Sequence, residues 1–259
     1  MKVYDKEIKH EDFKVLTYKE AMDKYASDKP DLRIQGLEMV DISEIAKNCG
    51  FSVFKGTVDR GGLVKGMKVE NGQESITRKQ IDKLIAFAQE HGAKGMAWMK
   101  VQENEIESSI TKFFKEEELT QIREAFDAKS GDLLFFIADS KGTTNDVLDA
   151  LRRKVAQDLD RISGELKFAW VIDFPLFQWD EENQRLDAEH SPFTMPNKEG
   201  EKFLNENIKT KEDILKYKDD LLKLKGDCYD MTMNGVEICS GALRIYKPAL
   251  QKKVFEIIN

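Results

Sequence analysis

The sequence is poor in cysteine, histidine and proline, and no apolar stretch in it is long. Its 259 residues hold 3 Cys, 3 His and 5 Pro. Cys49, Cys228 and Cys239 are scattered, with no CxxC pair and no even-numbered framework. That excludes a disulfide-stapled secreted scaffold and fits a reducing, cytoplasmic setting. With only His10, His91 and His190 available, a Cys/His zinc site has almost nothing to draw on. The longest strictly apolar run is the six residues 133–138, whereas a membrane helix needs about 20. Met1-Lys2-Val3-Tyr4-Asp5-Lys6 lacks the apolar centre of a signal peptide. There is no excess of positive charge: 41 Lys and Arg against 48 Asp and Glu give a net −7. A generally basic nucleic-acid coat is excluded, although a local basic face can hide in an acidic average. Phosphate loops of the GxxxxGK[ST] and GxGxxG kinds are absent, as are GxSxG and HExxH.

What is present suits one large or two modest domains. Hydrophobic residues make up 41%, enough for a substantial core. Thr17-Tyr18-Lys19-Glu20 and Thr77-Arg78-Lys79-Gln80 are capping boxes that start helices. The first helix should stop before Lys29-Pro30, and the second should close at Gly92. Residues 41–48, 116–126 and the stripe Val147, Leu148, Leu151, Val155 read as further helices. Residues 51–57 and 63–69 read as paired strands, with Asp59-Arg60-Gly61-Gly62 as their turn and Gly66 as another turn glycine. Residues 95–101 and 132–139 also read as strands. After Gly164 the texture changes. Residues 167–174 form a β stretch continuing past Pro175 to Trp179, Glu181-Glu182-Asn183 turns it, and 185–190 returns. Asn234-Gly235 between two strand-like runs signals a type I′ hairpin, and Pro248 opens a last helix.

Two constellations carry polar chemistry. The first is Glu189-His190-Ser191-Pro192-Phe193-Thr194-Met195-Pro196, whose prolines and aromatic make a rigid non-helical loop behind His190. Its plain alternative is a loop plug with an ordinary surface histidine. The second runs from Glu237 to Arg244 through Cys239-Ser240-Gly241. Both charges lie in a β-like, weakly polar stretch, where a buried charge needs a partner. Seven residues apart, they face opposite sides of an unbroken strand. A bulge at Ser240-Gly241 would restore a common face. Glu237 could then hold a cation or a ligand hydroxyl, and Arg244 could fork onto a carboxylate. An internal Glu–Arg salt bridge, or a solvated face, accounts for the same pair.

At these residues the sequence resembles the bacterial-type aspartyl-tRNA synthetases, which are class II. The segments TYKEAMDKYASDKPDLR (17–33), SITRKQI (75–81), HGAKGMAWMK (91–100), GDLLFFIAD (131–139), WVIDFPLF (170–177), HSPFTMP (190–196) and residues 229–245 occur in the family's order. The resemblance implies an α+β chain: residues 34–143 as the GAD insertion domain, a sheet with packed helices, and residues 1–33 and 144–259 as part of an antiparallel class II catalytic domain. It implies activation of aspartate with ATP and Mg²⁺ and transfer to tRNA, with no tightly bound cofactor and no catalytic side chain in this chain. Carried over by position, Glu237 is the acid at the ATP and magnesium site, Arg244 binds the aspartate side chain, and His190 opens a loop closing on the amino acid. The implied partners are aspartate, ATP, the aspartate tRNA with the asparagine tRNA left open, and a second copy in a homodimer.

The chain departs from the family where many relatives have His-His-Pro-Phe and it has His190-Ser191-Pro192-Phe193, and where a glycine run is replaced by Cys239-Ser240-Gly241. The family's first, second and third motifs and its anticodon-binding domain are not found in the sequence. The expectation is therefore a fragment, probed against one alternative: a stand-alone GAD-type module that binds tRNA or protein without catalysis. Membership in the amidotransferase subunit that shares the GAD domain is disfavoured by residues 166–246.

Overall fold

The structure, a computed structural model, describes residues 13–180 and 183–259. It divides into two compact units. One comprises residues 22–27 and 32–165; the other comprises 28–31, 166–259 and the described residues up to 21. The first described element, β1 (Phe13–Thr17), runs directly into α1 (Tyr18–Tyr25). The first capping box forms: Glu20 N–H donates to Thr17 Oγ at 3.1 Å, and Thr17 N–H donates back to the Glu20 carboxylate at 2.9 Å.

The 22–165 unit follows with β2 (Met39–Asp41), α2 (Ser43–Asn48), α3 (Ser52–Asp59), β3 (Leu63–Val69) and α4 (Gly72–Ser75). Then come α5 (Arg78–Glu90), β4 (Ala97–Val101), β5 (Ile106–Glu107), α6 (Glu116–Ala125), β6 (Leu133–Asp139) and α7 (Lys141–Asp158). The strands form one sheet in the order β2-β3-β6-β4-β5, antiparallel at every pairing. β6 is its axis. Leu133, Phe135 and Ile137 feed one core with Leu84, Ala88, Leu148 and Leu151 of α5 and α7. Leu134 and Phe136 feed the opposite core with Ala46, Phe54 and Ile122 of α2, α3 and α6. A strand apolar on both faces needs this cover on both sides.

Residues 51–57, read as a strand, are largely the helix α3. Phe54 and Thr57, one turn apart, are its buried side chains, so tertiary burial outweighs the β-branched composition. Asp59-Arg60-Gly61-Gly62 is the exit from that helix, closed by Gly61 N–H to Val58 O at 2.8 Å and Gly62 N–H to Thr57 O at 2.9 Å. Gly66 is no turn residue: it lies in the middle of β3, paired with Phe136. A Cβ there would stand 2.4 Å from Phe135 O and 2.7 Å from the Phe136 ring. The compact unit runs to Glu165, and α7 supplies Val147, Leu148, Leu151, Val155 and Ala156 to one core.

Arg152 of α7 is fully buried. Its Nε donates to Leu37 O at 3.1 Å and its Nη2 to Ile34 O at 2.7 Å. The guanidinium lies over the Tyr25 ring, 4.9 Å from its centre. One planar cation thus fastens the irregular segment after α1 to α7.

The second unit continues with β7 (Phe168–Ile172), β8 (Phe177–Asp180), β9 (Arg185–Ala188), α8 (Lys198–Asn207), α9 (Lys211–Lys216) and α10 (Lys218–Leu221). It closes with β10 (Cys228–Met233), β11 (Val236–Ala242) and α11 (Pro248–Ile258). Its main sheet runs β1-β7-β10-β11. β7, β10 and β11 are antiparallel neighbours, while β1 lies parallel to β7, a pairing the sequence reading lacks. The long β stretch breaks after Ile172, where Asp173 takes φ 61°. β8 and β9 form a separate hairpin, and the expected turn residues Glu181 and Glu182 lie outside the described residues. Asn234 and Gly235 take φ 53° and 82°, as a type I′ turn requires.

Two substitutions probe the 22–165 unit. Arg152→Ala orphans the carbonyls of Ile34 and Leu37; at about 1–3 kcal/mol for each buried group, the expected loss is roughly 2–6 kcal/mol in urea unfolding. Gly66→Ala should cost at least about 1–3 kcal/mol through overpacking. Unchanged midpoints for either variant would mean that the segment or strand relaxes without loss.

Candidate functional site

The sequence-predicted residues gather in the unit built on β7, β10 and β11. Pairing of β10 with β11 sets Cys228 opposite Ala242, Asp230 opposite Ser240 and Met231 opposite Cys239, then shifts so that Thr232 faces Glu237. The extra residue is Ile238. No bulge forms at Ser240-Gly241; the register shift lies earlier in the strand, at Ile238, and puts Glu237 on one face with Asp230, Thr232 and Ser240. Beyond the strand end, Arg244 makes an isolated bridge with Thr194, and its Nη1 donates to Ser191 Oγ at 3.0 Å. Both Glu237 and Arg244 are exposed, contrary to the expectation of buried charges, and they form no mutual salt bridge among the described residues.

Further residues, missed in the sequence, complete the electrostatics. Lys29 Nζ lies 2.9 Å from Asp28 Oδ2 and 3.6 Å from Glu237 Oε2. Burial alone would lower its pKa, yet the hydrogen bond and charge of Asp28, with Glu237 and Asp230 beyond, hold it above the ordinary lysine value. Asp230 is buried in β10, and its Oδ1 has no hydrogen-bond partner among the described residues. Burial first, and the Glu237 charge second, push its carboxyl above the usual range, while His190 and Lys29 pull the other way. Asp230 thus stands electrostatically between Glu237 and His190. His190 is exposed and its ring lies 5.9 Å from that of Phe174. The preceding Glu189 accepts a hydrogen bond from the Tyr18 hydroxyl at 3.2 Å. Burial raises the Glu189 pKa above its ordinary value even against that hydrogen bond, and burial also raises that of Tyr18.

The arrangement offers a cation fork at Arg244, carboxylates at Asp230 and Glu237, and an ammonium at Lys29. It offers no activated nucleophile: the Cys228 thiol is pushed up to about 11, by burial first and then by Asp230, Asp227 and Glu189. No group of three His, Cys, Asp or Glu among the described residues is arranged to hold a metal by itself. Two carboxylates, one with an unpartnered buried oxygen, do fit Mg²⁺ arriving on phosphates, because that ion is usually held by one or two carboxylates plus substrate oxygens.

The GAD domain family matches residues 54–148, within the sheet unit built on β6. An aspartate–tRNA(Asp/Asn) ligase of Persephonella marina is 46% identical over 249 residues, covering 95% of this chain and 40% of that protein. Along 95% of its length the chain is similar to a segment of aspartate–tRNA ligases. The aspartate–tRNA(Asp/Asn) ligase of Natranaerobius thermophilus is 45% identical over the same shares of each chain. An aspartate–tRNA ligase of Halalkalibacterium halodurans is 41% identical over 248 residues, covering 95% of this chain and 39% of that protein. The chain thus spans about 40% of the length of the relatives it matches. No helix among the described residues is long and apolar enough to cross a membrane.

The raised Asp230 carboxyl has a consequence for stability. The folded state keeps the proton to higher pH than the unfolded chain, so this group favours folding below the usual carboxylate pKa and loses that advantage as pH rises through its raised value. Asp230→Asn should therefore raise the thermal midpoint relative to wild type at pH 7 and leave it near wild type at pH 3. A lower midpoint at pH 7 would show that Lys29 and His190 outweigh burial.

Proposed function

We propose that the chain is part of an aspartate–tRNA ligase and supplies the amino-acid end of its adenylation site. The observation that carries this is the hydrogen bond from Arg244 to the Ser191 hydroxyl, in the same loop as the His190 that acts on Asp230, together with the identity to aspartate–tRNA ligases along 95% of the chain. Arg244 is oriented by Ser191 with the rest of its fork exposed, suited to the bidentate grip on a carboxylate that a lysine cannot reproduce. In this reading it takes the side chain of aspartate. His190, one residue before Ser191, sits on the loop that borders the amino acid.

Asp230 and Glu237 would hold Mg²⁺ brought by ATP, which when bound supplies charge neutralisation on the phosphates. Lys29 partly offsets the repulsion between the two carboxylates when no cation is present. The reaction, attack of the aspartate α-carboxylate on the α-phosphate with loss of pyrophosphate, needs positioning and charge complementarity rather than a protein nucleophile. The acceptor is the aspartate tRNA; the asparagine tRNA joins it on the strength of the names carried by the Persephonella and Natranaerobius relatives. We place the enzyme in the cytoplasm as a homodimer.

The test is aspartate-dependent ATP–pyrophosphate exchange by a full-length enzyme carrying this segment. Arg244→Ala should cost about 2–5 kcal/mol, roughly 30- to 3,000-fold in kcat/KM for aspartate, with partial rescue by Arg244→Lys. Ser191→Ala, which removes only a positioning hydrogen bond of about 0.5–1.5 kcal/mol, should raise KM for aspartate roughly two- to tenfold. Wild-type kinetics in Arg244→Ala would make that arginine structural. The 259-residue chain alone should show exchange reduced on the order of 10⁴-fold or more, because the arginines expected on the triphosphate are not found in its sequence. Exchange within about tenfold of the full-length enzyme would overturn that placement.

A further inference from the structure

The GAD-matching unit contains a cavity of about 720 Å³, within the size range of small-molecule sites. It shares no lining residue with the candidate site described above. Its floor is apolar and aromatic, with Phe54 and Phe136 from the second core, Ile85 and Met96, and the half-buried Trp98. Its charged lining is of one sign: Arg60 at the end of α3, Arg78 at the start of α5 and Lys94 before β4, with no carboxylate among the lining residues. In a chain of net charge −7 that is a local reversal.

The state of these cations matters. The Arg60 side chain has no ion-pair or hydrogen-bond partner among the described residues. Arg78 is paired with Asp82 at 3.1 Å, both side chains exposed, and exposed pairs contribute little; Lys94 is exposed and lies 3.5 Å from the mostly buried Asp139 carboxylate. An arriving anion can take Arg78 and share Lys94 with Asp139. The Arg78 guanidinium also lies over the Trp98 ring, 4.9 Å from its centre, which presents a flat cation–aromatic surface. Three hydroxyls on the lining, those of Ser52, Thr57 and Ser109, have no hydrogen-bond partner among the described residues, whereas that of Ser108 donates to the Trp98 carbonyl at 2.7 Å.

We infer that this cavity binds a nucleoside monophosphate unit, free or within a single-stranded RNA: the base on the Arg78–Trp98 surface, the phosphate among Arg60, Arg78 and Lys94, and the sugar within reach of Ser52 or Ser109. An inorganic anion would leave the aromatic floor unused. An acidic peptide would meet the cations but would not need a flat stacking surface. A nucleotide uses both, since stacking on aromatic and arginine planes is the sequence-tolerant part of single-strand recognition and phosphate contact the electrostatic part.

The experiment follows the indole N–H resonances of the intact chain by NMR. There are three tryptophans, and Trp98→Phe assigns the relevant signal. Titration with AMP, and separately with a single-stranded RNA trinucleotide, should shift the Trp98 signal saturably. Phosphate alone and adenosine alone should each bind at least about tenfold more weakly than AMP, and the double variant Arg60→Ala/Lys94→Ala should weaken AMP and trinucleotide alike by at least about tenfold while keeping the wild-type melting temperature. A trinucleotide binding more tightly than AMP identifies an RNA strand as the ligand; AMP binding as tightly or more tightly identifies the free nucleotide. An unmoved Trp98 signal at about 5 mM of both probes overturns the inference. So does equal binding by the folded double variant, or a glutamate-rich peptide that shifts the signal at lower concentration than either nucleotide probe.

Discussion

Everything in the larger unit is subordinate to one strand that has no polar face. Leu133 to Ile137 are all fully buried, so β6 can exist only with a strand on each side and helices above and below. The flanking strands β3 and β4 satisfy its backbone, and two separate cores satisfy its side chains. The requirement extends to single atoms. Gly66 lacks a side chain because the Phe135 carbonyl and the Phe136 ring stand where a Cβ would go, and Arg152 is buried because the segment covering one core is not itself a helix or strand and its carbonyls need donors.

That requirement explains what was legible in the sequence. The two capping boxes, the type I′ Asn-Gly turn and the proline opening α11 are local devices, and each stands where its residues put it. The apolar run of β6 was equally plain. α3 was not: Ser-Val-Phe-Lys-Gly-Thr-Val has the composition of a strand, and only the need to cover Phe136 makes it a helix. The parallel pairing of β1 with β7 was hidden for another reason. It joins residues some 150 positions apart, and no periodicity carries that information.

At the candidate site the residue types were visible and the geometry only in outline. A register correction between Glu237 and Arg244 is demanded by their odd spacing, but its location at Ile238 depends on pairing with β10. Asp230 carried a signal that could have been used. In Cys-Tyr-Asp-Met-Thr-Met it occupies the inward set of the alternation with Cys228 and Thr232, and a carboxylate in that set is unusual. Lys29 carried none, because before a proline it reads simply as the end of a helix. The family resemblance supplied what residue physics left open, and its departure at Ser191 proved informative: that hydroxyl is the group that holds Arg244.

The β1–β7 pairing also bears on the order in which the chain organises. Zipping Phe13–Thr17 onto Phe168–Ile172 from an unfolded chain requires closing a loop of about 150 residues. If the intervening residues have already condensed on β6, the effective loop shrinks to roughly ten flexible residues. With closure entropy growing as (3/2)RT ln n, that difference is about 2.4 kcal/mol, or close to sixtyfold in the probability of encounter. A unit whose sequence is continuous in all but a few residues therefore acts as a clamp for one that is discontinuous, and a ribosome emitting the chain would deliver β1 well before its partner exists.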